Sequence, residues 1–319
     1  STRPGERSSE PVLKKAILVA EPWDPGPGGY GLGKFGKEFA EHNDTYRDEI
    51  RAFWKGENGK IGALAGKVSG SAEIFDVAGR KPSAGVNMLA VHDGFTLRDL
   101  VSYHDKHNEA NGEHNRDGHN HNSSWNCGVE GETDDEAINH ARKRDVRALL
   151  ATLFLSRGIP LIQQGDEMYR TQQGNNNAYA QDNEITWVDW ENGDGALVDF
   201  VGALKSFRKA HPAVSHDHWL TGQDRNGARD VMWLHPDGRE MTVADWNDSG
   251  ASVLGMHLRH KDDEVLVWFN RRVEPVVARL PAGEWAVGIQ SDQSFEVAFT
   301  EGTATLPPRS VVALVRPKA

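Results

Sequence analysis

A chain of 319 residues has room for two domains with a core each, since domains commonly run to roughly 100–200 residues. With 38% apolar and 26% charged residues the composition is that of a folded protein, and a net charge of -11 argues against a phosphate-backbone partner, which needs a basic surface to displace counterions. The single cysteine, Cys127, precludes an internal disulfide and fits a reducing cytoplasm; no run of about 18 apolar residues exists, and the polar start Ser1–Glu10 lacks the apolar segment of a signal peptide, so neither membrane nor nucleic acid is an expected partner.

Ala16–Ala20 is a short continuous apolar run ending in Glu21 and Pro22, the pattern of a strand buried on both faces. Asp44 is expected to cap a helix to about Lys55, with Tyr46, Ile50, Phe53 and Trp54 on its apolar face. Val86–Val91 is a second buried strand, ending in His92 and Asp93. Thr133 and Glu136 spell a capping signal for a helix that Gly158 stops, and Ile159–Ile162 follows as a third strand ending in the polar run Gln163–Glu167. A further helix, about Ala196–Ala210, closes at His211 and Pro212.

Strands alternating with helices, each strand ending in polar groups, predict a parallel α/β layout with a site at the C-terminal strand ends, as in (β/α)8 barrels. From Val214 onward short apolar runs separated by turn residues predict an all-β module: Val265–Phe269, Val276–Leu280, Trp285–Ile289 and Val311–Val315. The expected domains are therefore residues 1–213 and 214–319.

Two carboxylates at strand ends carry the chemistry. Glu21 stands beside Pro22 and Trp23, and an apolar, aromatic setting raises a carboxyl pKa as a general acid requires. Asp93 follows His92 at a second strand end. Two acids on one barrel face, in a chain with ten tryptophans, point to glycoside hydrolysis, the alternative being ordinary strand-end carboxylates.

Ala20-Glu21-Pro22-Trp23-Asp24, followed by Gly28-Gly29-Tyr30, resembles the fifth-strand motif of isoamylases and bacterial glycogen debranching enzymes of the α-amylase superfamily. Val91-His92-Asp93-Gly94-Phe95-Thr96-Leu97 resembles their seventh-strand motif, and the stretches 122–131, 164–167 and 175–190 resemble their substrate loops. The resemblance implies the C-terminal half of a (β/α)8 TIM barrel, strands five to eight, followed by a β-sandwich. It implies that Glu21 is the acid/base, that Asp93 and His92 hold the sugar, and that Trp23, Tyr30, Trp125, Asn177, Tyr179 and Asp182 contact substrate. It also implies a retaining mechanism whose nucleophile, an Asp ending the fourth strand, precedes the first residue of this chain. The chain alone is then expected to be inactive, with the first four strands supplied by another chain.

The implied ligand is an α-glucan such as glycogen, limit dextrin or a maltooligosaccharide, with no cofactor and no metal. Alternatives left open are a noncatalytic glucan-binding or assembly module and an α-1,4-acting amylase relative. Two weaker signals compete. Gly26–Gly36 twice spells G-x-G-x-x-G, but with no apolar helix following, a loop is expected rather than a dinucleotide site. His104, His107, His114, His119 and His121 crowd one polar stretch without helical spacing, and a solvated loop is expected rather than a metal site.

Overall fold

The computed structural model describes residues 13, 16–24, 26–225 and 228–317; the polar start Ser1–Glu10 lies outside them. Strands β1 (Leu18–Ala20), β2 (Phe39–Asn43), β3 (Gly85–Met88) and β4 (Ile159–Leu161) form a parallel sheet in sequence order. Between β2 and β3 run helices α1 (Asp44–Lys55) and α2 (Ile61–Val68); α3 (Glu136–Leu155) precedes β4, and α4 (Gly195–Ala210) follows it. This is half of a (β/α)8 barrel, and a β-sandwich follows it. Among the described residues no helix is long and apolar enough to cross a membrane.

Strand β2 was not legible in the sequence. Its residues Phe-Ala-Glu-His-Asn are largely polar, yet Glu41 and Asn43 are fully buried. Burial is tolerated because each polar group finds a partner. Glu41 pairs with the buried Arg80 and accepts the Gly33 N–H at 2.7 Å; the Asn43 amide donates to the Ser71 hydroxyl at 3.0 Å.

The helix caps also differ from expectation by one or two residues. Asn43, not Asp44, caps α1 by accepting the Tyr46 N–H at 3.0 Å. Asp135, not Thr133, caps α3, accepting the N–H groups of Ala137 and Ile138 at 2.9 and 3.1 Å. In each case a side-chain oxygen one position before the first helical residue reaches the free amides of the first turn. The apolar face of α1 packs as expected, with Trp54 donating to the Thr152 hydroxyl of α3 at 3.0 Å.

Strand β1 departs from the expected double burial. It pairs with β2 alone among the described residues, and Ile17 and Val19 are 83% and 46% exposed. Unpaired backbone groups and apolar side chains thus lie together along one edge.

The sandwich consists of β5 (Val231–Leu234), β6 (Val253–His260), β7 (Asp263–Asn270), β8 (Val276–Arg279), β9 (Ala286–Gln290), β10 (Phe299–Thr300), β11 (Thr303–Leu306) and β12 (Ser310–Val315). Of these, β5, β6, β10 and β11 were not anticipated. Five strands form one antiparallel sheet in the order β9-β12-β7-β6-β5, and three form the other, β8-β11-β10.

The five-stranded sheet is covered on both faces. Val265, Val267, Phe269, Val311 and Ala313 join the core of the barrel helices, whereas Leu266, Trp268, Val312 and Leu314 pack toward the smaller sheet. Side chains alternate across a strand, so a strand apolar at every position must be covered twice. Residue 213 falls inside a single helical turn, Pro212–Ser215, whose Ala213 and Val214 are buried in that shared core.

A buried ion pair is among the contacts that fasten the two parts. Arg309, at the entry to β12, donates to both carboxylate oxygens of Asp145 on α3 at 2.8 and 2.7 Å, and to the Trp54 carbonyl at 2.8 Å. Asp145 is buried and also accepts the Trp125 indole N–H at 2.9 Å. Removing one partner of a buried pair strands the other charge. Arg309→Ala should lower unfolding stability by about 3–5 kcal/mol, read by urea denaturation; a loss under about 1 kcal/mol would mean that the pair behaves as a surface ion pair.

Candidate functional site

Parallel pairing in sequence order brings the C-terminal ends of all four strands to one end of the sheet. Glu21 directly follows β1, His42 lies near the end of β2, and His92 and Asp93 follow β3. Ligand-type atoms of Glu21, His92 and Asp93 all lie within 4.8 Å of one another, and His92 Nε2 is 3.9 Å from Glu21 Oε1. Glu21 thus lies close to the adjacent pair His92 and Asp93, some seventy positions further along the chain.

The setting of Glu21 is more open than its neighbours suggest. Pro22 is buried and Trp23 half-buried, but the Glu21 side chain keeps 38% exposure and that of His92 72%. Covering of Glu21 by apolar groups is thus partial among the described residues.

His42 completes the cluster and was missed with its strand. Its half-buried ring lies 6.4 Å from that of Trp23 and feels the charges of Glu21, Asp93 and His92. Burial holds its pKa below the ordinary histidine value, against the pull of the two carboxylates. Only a recognisable strand would have revealed it, and that strand is masked by its own polarity.

Two atoms of this cluster, His42 Nδ1 and Asp93 Oδ1, are shielded from solvent and have no hydrogen-bond partner. Eleven other side-chain atoms among the described residues are also buried without a partner, so these two count only together with the cluster that they belong to. A hydroxyl, which both donates and accepts, meets the needs of either atom. Among the described residues, Glu21, His92 and Asp93 are the one grouping of histidine and carboxylates close enough to share an ion, and His42 is not part of it. The five loop histidines form none. One of them, His107, instead contacts Glu130 at 3.1 Å.

The remaining sequence candidates are scattered. Tyr30 is exposed, its hydroxyl donating to Asp44 at 2.9 Å; the glycine loop around it forms turns that lead into β2, with the Gly31 N–H bonded to the Pro22 carbonyl at 2.6 Å. Trp125 sits at the junction with the sandwich, its indole bonded to Asp145 and its ring 5.9 Å from the Arg309 guanidinium. It is committed there rather than to the Glu21 cluster.

Asn177 belongs to a network joining two loops. Its amide donates to Asp117 at 2.8 Å, while the neighbouring Asn176 exchanges bonds with Asn108 at 2.9 and 3.0 Å and donates to Asn122 at 2.9 Å. Tyr179 projects with 76% exposure, and Asp182 accepts the Trp187 indole N–H at 3.0 Å. Asn176 and Asn108 are themselves fully buried in this network, so part of the loop is held by amides and part is free to meet a ligand.

No family model matches the sequence. A Mycobacterium tuberculosis protein named "Glycogen operon protein GlgX homolog" is 41% identical over 334 aligned positions, which cover 96% of this chain and 46% of that protein. A "Glycogen debranching enzyme" of an Enterobacter species is 45% identical over 275 residues, 86% of this chain and 41% of its own length. The chain therefore spans less than half the length of these curated relatives. Among solved structures, pullulanase from Anoxybacillus sp. LM18-11 complexed with maltotetraose matches with a TM-score of 0.66 and 20% identity, covering 99% of this chain and 41% of that one. Pullulanase type I from Bacillus subtilis complexed with maltose matches with a TM-score of 0.66 and 19% identity, over 99% and 41% of the two chains. At that identity the structures show a shared fold, whereas the curated relatives carry the closer kinship: over the stretch it spans, this chain belongs to the family of the bacterial glycogen debranching enzymes.

Proposed function

We propose that this chain carries the acid/base part of a site that hydrolyses α-1,6 branch linkages in glycogen or a limit dextrin, in a reducing cytoplasm. The observation that carries this reading is the meeting of Glu21, His92 and Asp93 within 4.8 Å at the strand ends. Glu21 gives its proton to the glycosidic oxygen as the bond to the anomeric carbon breaks. Asp93 and His92 hold hydroxyls of the same sugar as its ring flattens toward an oxocarbenium-like state. Unpartnered Asp93 Oδ1 and His42 Nδ1 supply an acceptor and a second polar contact for those hydroxyls.

A retaining mechanism also needs a carboxylate that attacks the anomeric carbon from the opposite face. On this reading that group comes from strands that complete the barrel along β1, where an apolar edge stands unpaired among the described residues. The isolated chain should then show no turnover of glycogen, measured as released reducing ends. Adding the complementary barrel strands should restore debranching, and Glu21→Gln should reduce it again by about 10²–10⁴-fold, the usual contribution of a positioned acid.

One observation favours a second reading. Glu21 and Asp93 approach within 4.8 Å, near the roughly 5–5.5 Å between acid and nucleophile in retaining enzymes. If Asp93 were the nucleophile, the isolated chain would turn over glucan and Asp93→Asn would abolish it. Either result decides between the two.

Titration of His42 gives a further test. Because burial lowers its pKa, the neutral ring is the form the fold favours, and the arrangement it supports should be lost as pH falls below the ordinary histidine range. Maltotetraose affinity, followed by tryptophan fluorescence, should therefore weaken on acidification, and His42→Gln should remove that component; an unchanged acid limb would show that His42 does not face the sugar.

A further inference from the structure

Two carboxylates outside the Glu21 cluster are buried without taking part in it. Asp166 follows β4 and is 2% exposed; Asp99 lies in the turn after Asp93 and is fully buried. Each crosses to the other's loop. Asp166 Oδ1 accepts the Leu97 N–H at 2.9 Å, whereas Asp99 Oδ2 accepts the Gln172 N–H at 2.7 Å and its Oδ1 accepts the Thr171 hydroxyl. Leu97 lies just beyond the His92-Asp93 pair. Gln172 in turn bonds through its side chain to the Asn175 carbonyl at 2.9 Å, at the start of the asparagine-rich loop.

We propose that Asp166 and Asp99 are positioning residues, a reciprocal clasp that sets the spacing between the His92-Asp93 turn and the Asn175–Asp182 loop. The proposal rests on the reading of that face as a glucan site, and it deepens it. The physical reason is that two irregular loops have no ladder of their own to fix their distance. A short acid from each one, bonded to a main-chain N–H of the other, fixes it in both directions. Neither acid touches the sugar-facing atoms, so neither is a catalytic residue.

The clasp carries a signature that packing alone does not. Burial pushes Asp166 up to about 7 and Asp99 to about 6. For Asp166 the Leu97 N–H and Arg170 act against burial, while Glu167 and Asp99 add to it, and Arg51 of α1 faces the same carboxylate. For Asp99 the opposing groups are Thr171, the N–H groups of Gln172 and Gly174, and Arg98, with Tyr103 close by. Asp166 Oδ2 is buried and has no partner, the position that a proton would occupy. An unfolded aspartate titrates near about 3.9, so between that value and about 7 the folded chain binds the extra protons, and the clasp weakens as pH rises through this window.

The test uses the whole chain in three forms: wild type, Asp166→Asn, which keeps an acceptor for Leu97 and mimics the neutral acid, and Asp166→Leu, which removes the acceptor. Amide exchange at Leu97 and Gln172, corrected for the intrinsic rate, is followed from pH 5 to 8 alongside maltotetraose affinity per folded molecule. Protection in wild type should fall as pH rises toward 8, and Asp166→Asn should remain protected with a flatter profile. Asp166→Leu should lose protection at both amides and weaken maltotetraose binding by about tenfold. Equal affinity and equal Gln172 protection in folded Asp166→Leu overturn the proposal, as does rapid exchange of both amides in wild type. Should the wild-type chain bind no maltotetraose while both amides are protected, the glucan reading fails, and the clasp stands or falls on whether Asp166→Leu releases Gln172, a residue it does not touch.

Discussion

Parallel pairing of four strands in sequence order is the constraint from which the site follows. Every strand must then begin at one end of the sheet and finish at the other, so that whatever residue follows a strand arrives on the same face as its counterparts. Glu21, His42, His92 and Asp93 converge for this reason, although more than sixty positions of sequence and several helices separate the first from the last. No side chain in the cluster needs a long reach, and none is held by a direct bond to another. The backbone does the positioning, and the side chains keep free polar atoms.

Free polar atoms occur at the strand ends but are not confined to them: Arg80 Nε, Asp166 Oδ2 and Trp268 Nε1 are also buried without a partner. Beneath the site several buried polar groups find partners: Glu41 with Arg80, Asn43 with Ser71, Arg51 with the Leu89 and Asn122 carbonyls. At the site, His42 Nδ1 and Asp93 Oδ1 remain unmatched.

The sandwich acts on the site indirectly. Its five-stranded sheet gives one face to the barrel helices, and the Asp145–Arg309 pair fixes α3 to β12. Since α3 leads straight into β4, and the loop after β4 holds the turn that carries Asp93 through Asp166, rigidity passes from the sandwich to the strand ends by a short chain of packed elements. Both edge strands of the sheet, β1 and β4, are unpaired on one side among the described residues, and of the two only β4 follows directly on α3.

The sequence by itself showed the alternation of strands with helices and the polar residues that follow the strands. Apolar runs such as Val86–Val91 and Ile159–Ile162 read as strands, the first buried and the second only half-buried in the fold, and the motifs around Glu21 and Asp93 resemble those of a known family. The helices α1 and α4 were likewise legible from their apolar spacing. What only the tertiary structure decided are the features that depend on partners distant in sequence. Strand β2 reads as polar until Arg80 and Ser71 are seen to satisfy Glu41 and Asn43, and His42 was hidden with it. Trp125 reads like a sugar platform until Asp145 and Arg309 claim it for the junction. Asp166 and Asp99 read as ordinary loop acids until each is found bonded to the other's loop. In all of these the deciding quantity is whether a buried polar atom has a partner, and local sequence holds no record of which distant residue that partner is.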